Sequence, residues 1–250
     1  AYHHTTDPAL IIKWVKEGKI ENQFYYVSYG DEIGLPAVDV KDAAKVQAFH
    51  EYLKAAGETP QSLGLSGWEQ VKPLATFAGE VAVQIGVLPK EKEKDVGSLA
   101  GLKRLYWHSQ RFASLQGIDS FAQKTREIRA ALGNEVHTSA NLGGMHPFYW
   151  MHQAAFIESF KRKAMPLAWS EDYTYCMPEG SRLVADFETA YLRKGASYHD
   201  TPMQFYCMPH WPGITPEALL QNAVLEWGQN VKDLDFFCAP PDTWSTENYI

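Results

Sequence analysis

Strand-like runs that alternate with helical stretches are the feature that most constrains the fold of this chain. The runs are rich in aromatic and β-branched residues, and polar turns follow them: 23–29, 135–140, 165–169, 203–208 and 233–238. Strands separated by helices imply parallel crossover connections, either in a closed barrel or in a doubly wound sheet. The sequence therefore predicts an α/β fold.

The helical stretches between these runs have recognisable beginnings. Asp7 and Thr215 are both N-cap residue types, and each is followed by a proline, which is favoured at the first helical position. They predict helices over 9–17 and 216–227. Apolar spacing predicts three further helices, over 42–56, 119–132 and 181–192.

The residues that follow the predicted strands are unusually polar. They are Asp31-Glu32, Asn141, Glu171-Asp172 and His210-Trp211. A TIM barrel carries its functional residues at the carboxyl ends of its strands. The glycine-rich phosphate-binding motifs typical of nucleotide-binding sheets do not occur in this sequence. Together these features favour a (β/α)8 TIM-barrel type of fold over a doubly wound sheet.

The number of predicted strands is smaller than a closed barrel requires. Five strand-like runs are present, and a complete barrel has eight strands. We therefore expect one partial TIM-barrel domain over 1–250, formed by about strands 4 to 8, with a charged, glycine-punctuated insertion at about 39–111. The first strands would lie upstream or come from other domains or subunits.

Composition narrows the class of function. A formal net charge of −7 argues against a nucleic-acid surface, and no apolar run approaches the roughly 20 residues of a transmembrane helix. The spacing of Cys176, Cys207 and Cys238 indicates neither a disulfide framework nor a zinc site, so we expect reduced or buried thiols and no cofactor. Eight Trp, 13 Tyr and 12 Phe, several of them beside acidic residues, suit a sugar site.

Several motifs occur in an order that resembles a known family. Segment 136–141 reads Val-His-Thr-Ser-Ala-Asn, and segment 167–173 reads Leu-Ala-Trp-Ser-Glu-Asp-Tyr. These two segments resemble the fifth and sixth barrel strands of family 42 β-galactosidases, which belong to a clan of retaining glycoside hydrolases. Asp31-Glu32 resembles the end of the family's fourth strand, and 228–237 resembles its eighth strand. The resemblance covers most of the chain and implies a glycoside hydrolase that acts on a β-linked oligo- or polysaccharide.

The resemblance also implies roles for particular residues. Glu32 matches the general acid/base of the family, and Asp31 replaces the asparagine that normally holds the substrate 2-hydroxyl. In the family the seventh strand ends in a Met-Glu nucleophile. Here Met208 is followed by Pro209-His210-Trp211, so the standard nucleophile is missing.

Glycoside hydrolysis requires two carboxyl groups on opposite sides of the anomeric carbon. We predict Glu32 as the general acid, and Glu171 or Asp172 as its partner. A purely structural role is the competing interpretation, because both acidic pairs are also suited to capping a helix or forming a surface turn. The predicted substrate-binding residues are Asn141, Trp169, Tyr173, His210, Trp211 and Glu247, with Tyr29 as a further stacking platform, whereas Trp14, Trp107 and Trp227 are predicted to be core residues.

Three alternatives stay open from the sequence. An α-glycosidase would use Asp31 and Asp172 as its pair, as in α-galactosidase-like barrels. A non-catalytic glycan-binding or scaffold barrel would explain the missing nucleophile. A metal-dependent hydrolase is suggested by His137, His146 and His152, although their spacing suits no single helix face. A secreted, periplasmic or cell-surface location is expected in preference to the cytoplasm.

Overall fold

The structure is a computed structural model that describes residues 7–19, 26–30, 33, 39–74, 86, 90, 100–141, 153–171, 181–207 and 215–236. The helices in these ranges are α1 (Pro8–Lys16), α2 (Ala43–Ala55), α3 (Ala100–Leu132), α4 (Gln153–Lys161), α5 (Ser181–Tyr198) and α6 (Pro216–Gly228). The strands are β1 (Tyr26–Ser28), β2 (His137–Ser139), β3 (Ala168–Glu171), β4 (Met203–Cys207) and β5 (Asp233–Phe236). Short 3-10 turns cover Gln61–Leu63 and Trp68–Gln70.

All the strand pairs among these residues are parallel. β1 pairs with β2, and β4 lies between β3 and β5. The Ser139 hydroxyl at the end of β2 donates to the carbonyl oxygen of Leu167 at 2.6 Å, so β2 lies beside the segment that enters β3. Because each consecutive pair of strands is separated by at least one helix, the fold is mixed α/β, as the alternation in the sequence predicted.

The two helix beginnings predicted from Asp7-Pro8 and Thr215-Pro216 are confirmed. Asp7 Oδ1 accepts a hydrogen bond from the backbone N–H of Ala9 at 3.0 Å, and Pro8 occupies the first turn of α1. Thr215 Oγ1 accepts from the backbone N–H of Ala218 at 3.1 Å at the start of α6. These local contacts satisfy backbone donors that have no partner inside the helix.

Helix α3 is much longer than the sequence analysis predicted. It has 33 residues and begins at Ala100, whereas the prediction began at 119. Leu102, Leu105 and Phe112 lie on one buried face of the added part, so the helical spacing was present but was not recognised. Gly101 made a helix beginning at Ala100 harder to predict. Glycine is nevertheless required at this position, because a Cβ would lie 2.3 Å from the backbone of Leu63.

The chain divides into two compact units. The first consists of Ala1–Gly34 and Ile118–Ile250, and the second is Leu35–Gly117. All five strands belong to the first unit, and its core contains Val27, Phe160 and Phe205. The core of the second unit is formed by α2, the first part of α3 and the two 3-10 turns; its largest buried side chains are Phe49, Leu53, Leu63, Leu105 and Phe112. The single partial barrel with an insertion at 39–111 stays a prediction.

Two tryptophans predicted to lie in the core are on the surface. Trp107 is 57% exposed and Trp227 is 70% exposed, and Trp14 is half-buried. The prediction for Trp107 and Trp227 is wrong because size and hydrophobicity do not determine which face of a helix carries a residue. Within the described part of the chain, no helix is both long enough and apolar enough to cross a membrane.

Candidate functional site

The five strands differ sharply between their two faces. Because successive residues of a strand point to opposite sides, alternate positions belong to one face. One face is apolar and packs into the core beneath the helices; its members include Val27, Ala168, Met203, Phe205 and Leu234. The other, which we call the polar strand face, consists of Tyr26, Ser28, His137, Ser139, Asn141, Trp169, Glu171, Gln204, Tyr206, Asp233 and Asp235.

The alternation of polar and apolar residues indicates whether helices cover the polar strand face. Parallel strands that are covered by helices on both sides are apolar along their whole length. Here only one side has that character, so the polar strand face is not built to receive a layer of helices. Asn141, Glu171, Tyr206 and Asp235 lie at or near the carboxyl ends of their strands, where α/β proteins place their ligand sites.

Glu171 is the predicted site residue that the structure describes most fully. It is the last residue of β3 and is only 3% exposed. The amide nitrogen of Asn141, which lies two residues after β2 and is also buried, donates to Glu171 Oε2 at 2.6 Å. Glu171 therefore lies inside the strand rather than in a surface turn or helix cap. The predicted substrate-binding residue Asn141 orients this carboxylate.

A second carboxyl group lies on the same row of the face. Glu171, Tyr206 and Asp235 are aligned across β3, β4 and β5. Neighbouring strands are about 4.8 Å apart, so the Cα atoms of Glu171 and Asp235 are separated by about 10 Å. Both side chains point to the same side, and Tyr206 is the residue between them in the row. This places two carboxyl groups at the scale on which paired-carboxylate enzymes work.

Asp235 is held by a neutral neighbour. The amide nitrogen of Gln204 donates a hydrogen bond to Asp235 Oδ2. Burial raises the pKa of Asp235, the hydrogen bond from Gln204 opposes that rise, and the charge of Asp233 adds to it. The net effect is a pKa above the usual range of an aspartate, since neither neighbour supplies a positive charge.

Aromatic rings lie directly beside these carboxyl groups. Trp169 is aligned with Gln204 and is fully buried, and its ring centroid lies 5.6 Å from that of Tyr26 and 5.1 Å from that of Tyr206. Trp169, predicted as a stacking platform, packs on two other rings in this structure. Among the aromatic residues of β3 and β4, Trp169 and Phe205 are buried and Tyr206 is partly exposed.

Sequence reasoning missed Gln204, Tyr206 and Asp235. The predicted site residues were those at or after the end of each strand, whereas these three residues lie within β4 and β5. The signal was nevertheless present, because polar and apolar residues alternate in Met203–Cys207 and Asp233–Phe236. Polar residues two positions apart in a buried strand predict a polar face.

Other predicted site residues lie outside the described residues. They are Asp31, Glu32, Asp172, Tyr173, His210, Trp211 and Glu247, together with Cys176, Cys238, His146 and His152. The described histidine of the metal alternative, His137, places Nδ1 3.0 Å from the carbonyl oxygen of Pro166. Within the described ranges, no three His, Cys, Asp or Glu side chains are arranged to hold a metal ion.

Two further predictions can be compared with the structure. Tyr29 lies on the apolar face, buried in the core, and its hydroxyl is 2.7 Å from Thr125 Oγ1, so its predicted role as a stacking platform is wrong. Cys207 is a buried thiol outside any disulfide, and it donates to Glu226 Oε2 at 3.1 Å. The prediction of a reduced or buried cysteine is confirmed at this position.

Comparison with known protein families and with curated protein sequences gives no match.

Proposed function

We propose that this chain is a carbohydrate-active α/β barrel that hydrolyses glycosidic bonds with paired carboxyl groups. The observation that carries the proposal is Glu171, a buried carboxylate oriented by Asn141 at the carboxyl end of a parallel strand. A buried carboxylate is costly to maintain, and buried ionisable groups that are held in one orientation concentrate at functional sites.

The strand arrangement supports the barrel part of the proposal. The three pairings are parallel and follow chain order, and the apolar face alone packs beneath helices. A barrel closes such a sheet so that its inner face becomes a rigid lining with functional groups at the carboxyl rim. The remaining strands would come from other parts of the polypeptide or from another subunit.

The chemistry assigned to the site is protonation of the leaving group coupled to attack at the anomeric carbon. In the retaining form of the reaction, the Glu171 carboxylate would attack the anomeric carbon directly. In the inverting form, it would accept a proton from the attacking water. Glu32 stays our predicted proton donor to the glycosidic oxygen, and Asn141 fixes the direction of the Glu171 carboxylate in either form.

The test is turnover by Glu171→Gln on a panel of α- and β-linked aryl glycosides. The substitution keeps the shape of the side chain and removes its charge, so we expect turnover to fall by about 1000-fold. The matched control is Glu135→Gln, because Glu135 is exposed and precedes β2. Full turnover by Glu171→Gln, or by Glu32→Gln for the proton donor, would show that the corresponding assignment is wrong.

The same panel separates the alternatives. Hydrolysis of α-linked substrates would favour Asp31 and Asp172 as the pair. If the wild-type protein hydrolyses no glycoside but binds oligosaccharides in calorimetry, and Glu171→Gln weakens that binding, the site is a glycan-binding site without catalysis.

A further inference from the structure

The hydrogen bond between Gln204 and Asp235 has no role in the hydrolysis proposed above. Gln204 is 1% exposed, and its amide nitrogen is committed to Asp235 Oδ2. Among the described residues, Gln204 Oε1 has no hydrogen-bond partner. Keeping a buried amide with an unpaired oxygen costs stability. That cost indicates that Gln204 is retained in order to hold Asp235.

Asp235 itself is accessible. It is half-buried on β5, beside the partly exposed Tyr206 ring and in the row that contains Glu171. The hydrogen bond from Gln204 to Oδ2 fixes the orientation of the Asp235 carboxylate, and therefore also the direction of Oδ1. An ionised carboxylate only accepts hydrogen bonds. The natural partner for Asp235 at a sugar site is therefore a ring hydroxyl.

The charges on the polar strand face restrict which sugar can enter. Glu171, Asp233 and Asp235 are its acidic members, and none of its described residues is Lys or Arg. Carboxylates repel an anionic ligand strongly where water is largely excluded. A ring that bears a carboxylate, sulfate or phosphate group would meet this repulsion, whereas a ring that bears only hydroxyl groups would not.

We propose that the site takes an uncharged sugar ring and that Asp235, positioned by Gln204, accepts a hydrogen bond from one of its hydroxyl groups. The inference rests on the proposed function, because it specifies the substrate class of the same site. Asp235 is a substrate-contacting residue here, and Gln204 acts through it as a positioning residue.

The first experiment compares a p-nitrophenyl hexoside with the p-nitrophenyl uronide of the same configuration at pH 7.5. The expected kcat/KM of the wild-type protein is about 100-fold higher for the hexoside, from repulsion between the uronide and the acidic face. Equal rates, or a preference for the uronide, would overturn the inference and leave the proposed hydrolysis intact.

The second experiment uses Asp235→Asn with the hexoside and its monodeoxy analogues. Asn can still accept from Gln204, so the fold is kept while the charge is lost. We expect KM to rise about 10-fold, as for the loss of one hydrogen bond to a charged group, with kcat within about threefold. One deoxy analogue should be bound equally well by the variant and the wild type.

The matched control is Asp200→Asn. Asp200 is exposed and has a φ of 49°, a conformation that Asn tolerates well, so its KM should not change. If Asp235→Asn instead lowers kcat on poor leaving groups and spares dinitrophenyl glycosides, Asp235 is the proton donor and the assignment to hydroxyl binding is overturned. An unchanged KM for every analogue overturns it as well.

The role of Gln204 is tested by a double-mutant cycle. Gln204→Leu should raise KM in the wild-type background and have no further effect in Asp235→Asn, because Gln204 acts through the Asp235 carboxylate. Equal effects in both backgrounds would show a merely structural role and contradict the positioning assignment. If the wild-type protein neither hydrolyses nor binds any glycoside of the panel, the proposed function and this inference fail together.

Discussion

Two polar clusters in this chain surround their carboxyl groups with different kinds of neighbours. In the second unit, Glu58 Oε1 lies 3.0 Å from His108 Nε2, and Oε2 receives a hydrogen bond from the Ser62 hydroxyl at 2.5 Å and lies 3.5 Å from an Arg104 nitrogen. In the first unit, the neutral amide of Asn141 donates to Glu171, and the neutral amide of Gln204 donates to Asp235.

The pKa values follow from this difference. Burial raises the pKa of Glu58, but the hydrogen bonds from Ser62 and His108 and the charge of Arg104 outweigh burial and lower it. Burial raises the pKa of Asp235 by more than the hydrogen bond from the Gln204 amide lowers it, and the charge of Asp233 adds a smaller increase.

The comparison separates structural polar groups from functional candidates. A carboxylate with charged and hydrogen-bonding partners on both oxygens is satisfied by the fold and stabilises it. Asp235 is oriented by a neutral donor and its pKa is raised by burial, so a ligand or a proton can still change its state. This distinction supports the choice of the polar strand face over the Glu58 cluster as the site.

The largest effect on stability is expected at Glu188 on α5, a carboxyl group that extends the comparison because burial alone raises its pKa. This buried side chain has no hydrogen-bond partner for Oε1 among the described residues, and burial raises its pKa to about 8. The unfolded chain releases the proton near pH 4.5, so the free energy of unfolding should decrease as the pH rises from there to about 8.

Glu188→Gln should therefore stabilise the protein at pH 7, by an amount on the order of 3 kcal/mol, and flatten this pH dependence. Urea unfolding at pH 5 and pH 8 measures it, with the exposed Glu217→Gln on α6 as the control. An identical slope with pH in the variant and the wild type would show that Glu188 is already compensated.

The next effect is the opposite one at Glu58. Glu58→Gln should destabilise the second unit by about 2 kcal/mol, because a charged acceptor of several hydrogen bonds is lost. Since its pKa is lowered, the Glu58 contribution is present above the unfolded value of 4.5 and is lost as the pH falls through the folded pKa. Hydrolysis should be unchanged.

Thermal unfolding at pH 7 and pH 3 measures this effect, and the exposed Glu51→Gln on α2 is the matched control. A loss of hydrolysis in Glu58→Gln that exceeds its loss of stability would break the division into a structural and a functional cluster.

A smaller effect is expected on the apolar face of the strands. Tyr29→Phe removes the buried hydrogen bond to Thr125 and should reduce the free energy of unfolding by about 1 kcal/mol. Because this face packs beneath the helices, turnover should stay within about twofold of the wild type. Chemical denaturation and the aryl glycoside assay measure both quantities. A strong effect on turnover would place Tyr29 at the site after all.

The smallest effect concerns a surface pair in the first unit. Arg162 lies 2.7 Å from Asp119, and both side chains are more than a third exposed. Asp119→Asn should reduce stability by less than about 0.5 kcal/mol at low salt and have no measurable effect in 1 M salt. Denaturation at the two salt concentrations is the measurement. A loss well above that value that disappears in 1 M salt would show that charge compensation matters even at the surface.

Part of this protein was predictable because the signals are local. Asp7-Pro8 and Thr215-Pro216 specify helix beginnings through contacts within three residues, and the structure confirms both. The alternation of strand and helix patterns likewise predicted the parallel α/β fold, since crossover connections leave few alternatives. Asn141 and Glu171 were also named from the sequence, because polar residues at strand ends are visible without a structure.

What the sequence could not decide is which of these residues meet. The contact between Asn141 and Glu171 joins residues 30 positions apart, and the one between Gln204 and Asp235 joins residues 31 apart. Such contacts depend on strand register and on which strands are neighbours. By itself the sequence determined the kinds of elements and their order. Only the tertiary structure decided that Glu171 and Asp235 share one row and that Trp227 faces outward, because a side chain's environment is set by distant residues packed against it.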